Sequence, residues 1–81
     1  MPPGPDPELI AKLLQRAKEQ EALHKHFWEK VRAAGGVNTK NRLGYVTMAA
    51  DAARAAADAY REAGDVVQAL VWEQKARNTV P

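Results

Sequence analysis

Apolar residues recur with helical spacing along three stretches of the chain, and strand-like alternation is not the dominant pattern in any of them. In the first stretch, at 100° per residue, Ile10, Leu13, Leu14, Ala17, Phe27, Trp28 and Val31 fall on one side, flanked by Leu9. The stripe is broken in its middle: Gln20, Glu21 and His24 occupy the sector that the apolar residues define, and Leu23 lies off to one side. In the second stretch Val46, Ala49, Ala50, Ala53, Ala56, Ala57 and Tyr60 share a face, while Asp51, Arg54, Asp58 and Arg61 lie opposite at spacings of three and four. The third stretch carries Val66, Val67, Ala69, Leu70, Val71, Trp72 and Ala76, spread over more of the circumference than one neighbour can cover.

Punctuation residues bound these stretches. Asp6 is placed to cap free N–H groups, Pro7 suits the first helical position, and Glu8 sits at the positive end of the dipole. With no glycine or proline before Gly35-Gly36, the pattern predicts a helix over 7–34, about 42 Å long at 1.5 Å per residue. A polar loop is expected over 35–42, a second helix over about 43–63 with Gly44 blurring its start, and a third over 66–78. Asp65 followed by Gln68 gives that third helix a capping-box-like start. Residues 1–6, rich in proline, are expected to be a flexible tail, leaving 7–81 as one helical domain. The predicted class is all-α: one long N-terminal helix packed on a C-terminal antiparallel hairpin.

Composition sharpens this. Sixteen of the 81 residues are alanine and five are aromatic. A chain of this length buries only roughly 60% of its unfolded surface, and alanine adds little bulk to what is buried. Such a core usually needs a disulfide, a metal or a partner. The chain has no cysteine, and two histidines alone make a structural zinc site improbable. His24 and His26 point about 200° apart on a helix and cannot share an ion. Oligomerisation or docking on a partner protein is left as the expected source of extra buried surface.

The hairpin also carries a resemblance. The stretch Ala59-Tyr60-Arg61-Glu62-Ala63-Gly64-Asp65, with Ala57 before it and Ala69, Lys75-Ala76 and Pro81 after it, resembles one tetratricopeptide repeat over residues 50–81. That family's unit is a helix–turn–helix of about 34 residues. The resemblance implies an antiparallel hairpin with Ala57 at the helix crossing, and a role in binding proteins or peptides without chemistry. Ala53 and Ala56 stand where the family has tryptophan and leucine, Glu73 where it has a large aromatic, with Trp72 one place earlier, and Arg77 where a leucine is usual.

No candidate catalytic group emerges. There is no serine or cysteine, and Gly35-Gly36 followed by Lys40 lacks the spacing of a phosphate-binding loop. The expectation is a non-enzyme without cofactor, metal or small-molecule substrate. No apolar run reaches the ~18 residues of a membrane span, and the N-terminus lacks the pattern of a signal peptide; a cytoplasmic protein with no membrane partner is expected.

Two candidate surfaces remain. Leu13, His24, Phe27, Trp28, Val67, Val71 and Trp72 are the candidate protein interface, for a homodimer or a partner protein, with an antiparallel pairing of two long first helices as the expected dimer. His24 is read either as part of a buried polar cluster between helices or, by preference, as a partly exposed histidine bonded to a neighbouring carboxylate. The second surface is electrostatic. The chain's formal charge is only +2, but residues 25–42 hold Lys25, Lys30, Arg32, Lys40 and Arg42 against Glu29 alone. That segment is the candidate contact for an anion or nucleic acid, the alternative to a protein-binding role.

Overall fold

The computed structural model describes residues 6–34 and 39–79 and folds them into three helices: α1 over Pro7–Ala34, α2 over Thr39–Glu62 and α3 over Val66–Asn78. Residues 1–5 of the expected tail, the Gly35-Gly36 stop and Pro81 lie outside the described residues, while Asp6, counted with the tail, is described and caps α1. At the start of α1, Asp6 Oδ1 accepts from the Glu8 amide at 3.0 Å, and the Asp6 carbonyl accepts from the Ile10 amide. The cap and Pro7 act as their residue types dictate.

The start of α2 differs from the expected loop over 35–42: residues 39–42 are already helical, and the helix runs straight through Gly44. A glycine on an open helix side costs only about 1 kcal/mol, which the burial of Val46 and the alanines after it outweighs. At the other end, the Asp65 amide reaches the Tyr60 carbonyl at 2.9 Å and the Gly64 amide reaches Arg61 at 3.0 Å. This is a Schellman arrangement, and Gly64 takes the left-handed backbone (φ 87°) that it requires. Asp65 then caps α3, accepting from the Gln68 amide at 3.1 Å. One residue closes one helix and opens the next.

Helix α2 lies in the middle. It packs against α1 on one side and α3 on the other, in a body measuring 59 × 19 × 14 Å. Its partners run antiparallel to it, since His24 meets Ala49 while Glu21 meets Tyr60, and α3 turns back after two residues. The long first helix therefore packs on α2, and it also meets α3 through the side-chain contact described below. All seven residues of the expected α2 face are buried, and Ala52 and Ala59 join them, because two neighbours cover a wider arc than one. Alanine suits this central helix, since its small side chain lets neighbouring helices approach closely. Asp51, Arg54, Asp58 and Arg61 face water; Arg54 pairs with Asp51 at 3.2 Å and Arg61 with Asp58 at 3.4 Å. Arg61 also reaches across to Glu73, fastening α2 to α3 at the surface.

The core is as thin as the composition suggests. Ala17, Ala53, Ala56, Ala57, Ala59, Ala69 and Ala76 make up most of it, with Tyr60 and Trp72 providing the bulk.

Candidate functional site

The polar break in the α1 stripe is where the three helices meet. His24 is 9% exposed, and its Nδ1 lies 2.8 Å from the Ala49 carbonyl on α2. A carbonyl only accepts, so Nδ1 carries the proton. The same ring meets Trp28 edge-on at 6.3 Å and Trp72 of α3 at 5.3 Å and 90°. His24 thus belongs to the buried-cluster reading rather than to the partly exposed, carboxylate-bonded one. The neighbouring carboxylate is otherwise engaged: Glu21 accepts from the Tyr60 hydroxyl. That hydrogen bond, followed by burial and the negative charges of Glu21 and Asp65, pushes the Tyr60 phenol up to about 12. Two of the three polar residues in the break, Glu21 and His24, are thus satisfied across a helix interface.

Above this junction α3 ends, and a groove of about 870 Å³ opens between the second half of α1, the first turns of α2 and the end of α3. His24, Trp28 and Trp72 form its aromatic lining; Lys25, Arg32, Arg42 and Lys75 bring the positive charge, and Glu21 and Glu29 the negative. Lys75 Nζ lies 4.3 Å from the Trp72 ring centroid, a cation–π geometry. Trp28 is half-buried, leaving part of its ring open to the groove. Three of the five basic residues singled out in the sequence, Lys25, Arg32 and Arg42, converge here; Lys30 and Lys40 are exposed elsewhere. Lys75, 33 positions beyond Arg42 along the chain, completes the set. Among the described residues none of these four cations pairs with a carboxylate.

The second surface lies on the opposite side of α3. Its inward face carries the buried Ala69, Trp72 and Ala76, and its outward face carries Val66, Val67, Leu70 and Val71, exposed by 61%, 70%, 59% and 41%. At 100° per residue these four span a single arc that also includes Gln74, Asn78 and one charged residue, Arg77. The candidate interface residues therefore separate into three groups. Leu13, His24 and Trp72 are buried in the chain's own core, Phe27 and Trp28 are half-buried, and Val67 and Val71 stand in the open. Val66 and Leu70 belong with the last pair. Their i, i+4 spacing from Leu70 and Val71 was visible in the sequence once Trp72 was known to point inward. Phe27 meets the His26 ring at 5.6 Å on the outside of α1.

Among the described residues no three His, Cys, Asp or Glu side chains are grouped to hold a metal, and no helix is long and apolar enough to cross a membrane. These features define an all-α protein of three helices with an open aliphatic face and a basic aromatic groove. No protein-family model matches the chain, and no curated protein or solved structure does.

Proposed function

We propose that this chain is a non-catalytic protein–protein interaction module that pairs with a second copy of itself through the outward face of α3. The observation that carries the reading is the placement of Val66, Val67, Leu70 and Val71 in water while alanines fill the interior. Each such aliphatic gains about 1.5–3 kcal/mol on full burial, a large quantity beside the net stability of a chain this short. Arg77 is the single charge on this face, so a mainly aliphatic face complements it and a strongly charged partner does not. A second copy supplies that face. This moves the expected pairing element from α1 to α3, because the apolar residues of α1 mostly point inward against α2.

The reading agrees with a tetratricopeptide-like α2–α3 hairpin. A single unit of that kind leaves faces uncovered, and about three are needed to bury a continuous core. Here α1 covers one side of α2, and the partner's α3 takes the place of the next unit. A cysteine-free chain of this kind suits the cytoplasm. The absence of cysteine also provides the test. Val67→Cys introduces a single thiol on the proposed contact, and mild oxidation is expected to yield a disulfide-linked dimer in high yield. Thr47→Cys, exposed on α2, is the control and is expected to remain largely monomeric. Equal, slow crosslinking of the two variants would refute pairing through α3.

A further inference from the structure

The groove beside His24 has a different character from the α3 face, and pairing through α3 makes no use of it. We propose that it is a binding site for a nucleotide, taken either free or as a unit of a single-stranded nucleic acid, with the base against Trp28 and the phosphates on Arg32 and Arg42. Charge is the first reason. Four cations face two carboxylates in one concavity, and one of those carboxylates, Glu21, already accepts from Tyr60. The second is the kind of cation. Arg32 and Arg42 come from different helices on either side of the α1–α2 connection, and planar guanidinium groups grip phosphate oxygens through paired hydrogen bonds.

The third reason is the aromatic wall. Trp72 is closed to a ligand, since Lys75 lies over its face and His24 meets it edge-on. Trp28 is braced by His24 at 84° and keeps part of its surface in the groove, so it is the ring positioned to accept a flat partner. Base stacking of this type is sequence-tolerant because every base has a π-face. His24 adds a polar atom: its Nδ1 is tied to Ala49, and Nε2 has no hydrogen bond among the described residues. Nε2 is therefore available to a base edge or ribose hydroxyl, beside the indole N–H of Trp28. The groove's size lies within the range of small-molecule sites, about 300–1,000 Å³. An acidic peptide would satisfy the cations but gains less from a single flat ring.

The test is calorimetric titration of the whole chain, with ATP, an oligothymidylate single strand, inorganic phosphate and a poly-glutamate peptide as separate arms. ATP, the oligothymidylate or both are expected to bind, and inorganic phosphate and the peptide to bind at least about tenfold more weakly, since stacking alone is worth 1–3 kcal/mol per base. Binding by ATP would place a free nucleotide in the site; binding by the oligothymidylate alone would place a single strand there. Affinity should fall between about 50 and 200 mM salt, as phosphate contacts require. Arg32→Ala with Arg42→Ala should weaken binding about tenfold or more while the circular dichroism and melting temperature hold, because both side chains are exposed. Lys30→Ala with Lys40→Ala removes the same charge outside the groove and should leave binding within about twofold. Three results would overturn the proposal: no nucleotide binding at low salt, equal loss in the two double variants, or a peptide that binds as well as the nucleotides.

Discussion

His24 on α1 and Trp72 on α3 meet edge to face, 5.3 Å between ring centroids, across a molecule in which α2 otherwise separates the two helices. Through Nδ1 the same histidine holds the Ala49 carbonyl of α2. One side chain in the polar break of the α1 stripe therefore touches all three helices. His24→Ala removes that hydrogen bond and leaves a void against two tryptophans. A loss of about 2–4 kcal/mol is expected, to be read as a lower urea midpoint at unchanged slope. His24→Leu keeps most of the volume and should recover part of the loss. If both variants match the wild type, His24 does not hold the helices together.

Alkaline pH should loosen the same region through Tyr60. Its phenol ionises near 10 when unfolded and at about 12 in the fold. Between those values the folded chain binds more protons than the unfolded one, so stability falls as pH rises. The contribution is whole below about pH 10 and is lost as pH passes through 12. Melting temperatures measured from pH 8 to 12 should show this decline in the wild type. Tyr60→Phe should lower stability by about 1–3 kcal/mol at neutral pH, since Glu21 loses its donor, and should flatten this part of the alkaline decline. A wild-type curve parallel to that of the variant over this range would disprove the Tyr60–Glu21 coupling.

Two glycines should respond in opposite directions to alanine. Gly64 holds φ at 87° in the α2–α3 turn, a region alanine enters at a cost, so Gly64→Ala should destabilise by about 1 kcal/mol or more. Gly44 lies inside α2 with open space where a Cβ would stand. Gly44→Ala should stabilise by about 0.5–1 kcal/mol. Thermal melts of the two single variants against the wild type decide both signs.

The central helix should not tolerate bulk. Ala53 and Ala56 are fully enclosed in the core shared by the helices. Leucine at either position forces the neighbours apart, and a cost of about 1–3 kcal/mol is expected. Leucine at Ala22, which is exposed on α1, serves as the comparison and should change stability by less than about 0.5 kcal/mol.

Much of this architecture is legible in residue order. Asp6, Pro7 and Glu8 define the start of α1, and Tyr60 through Asp65 write the turn before α3 almost completely. The extent of α2 is less legible. Gly44 reads as an interruption, and only the burial of Val46 against the bundle outweighs its weak propensity. Periodicity puts His24 on the apolar side of α1, but what it meets depends on Ala49 and Trp72, 25 and 48 positions away. The same distance in sequence conceals the groove. Counting charges by segment gathers Lys25, Arg32 and Arg42 along with Lys30 and Lys40, which point elsewhere, and overlooks Lys75 because it arrives on another helix. The open face of α3 is the reverse case. Its excess of apolar residues is plain in the sequence, and the structure adds which of them Ala69, Trp72 and Ala76 leave outside.

Solution mass tests the proposed pairing most directly. Multi-angle light scattering at about 100 µM chain should give twice the 8.9 kDa of one chain. Val67→Glu with Leu70→Glu, both on exposed positions of α3, should return the mass to that of one chain with helicity intact. A wild-type mass of one chain at that concentration, or a dimer that persists in the double variant, would contradict self-association through α3.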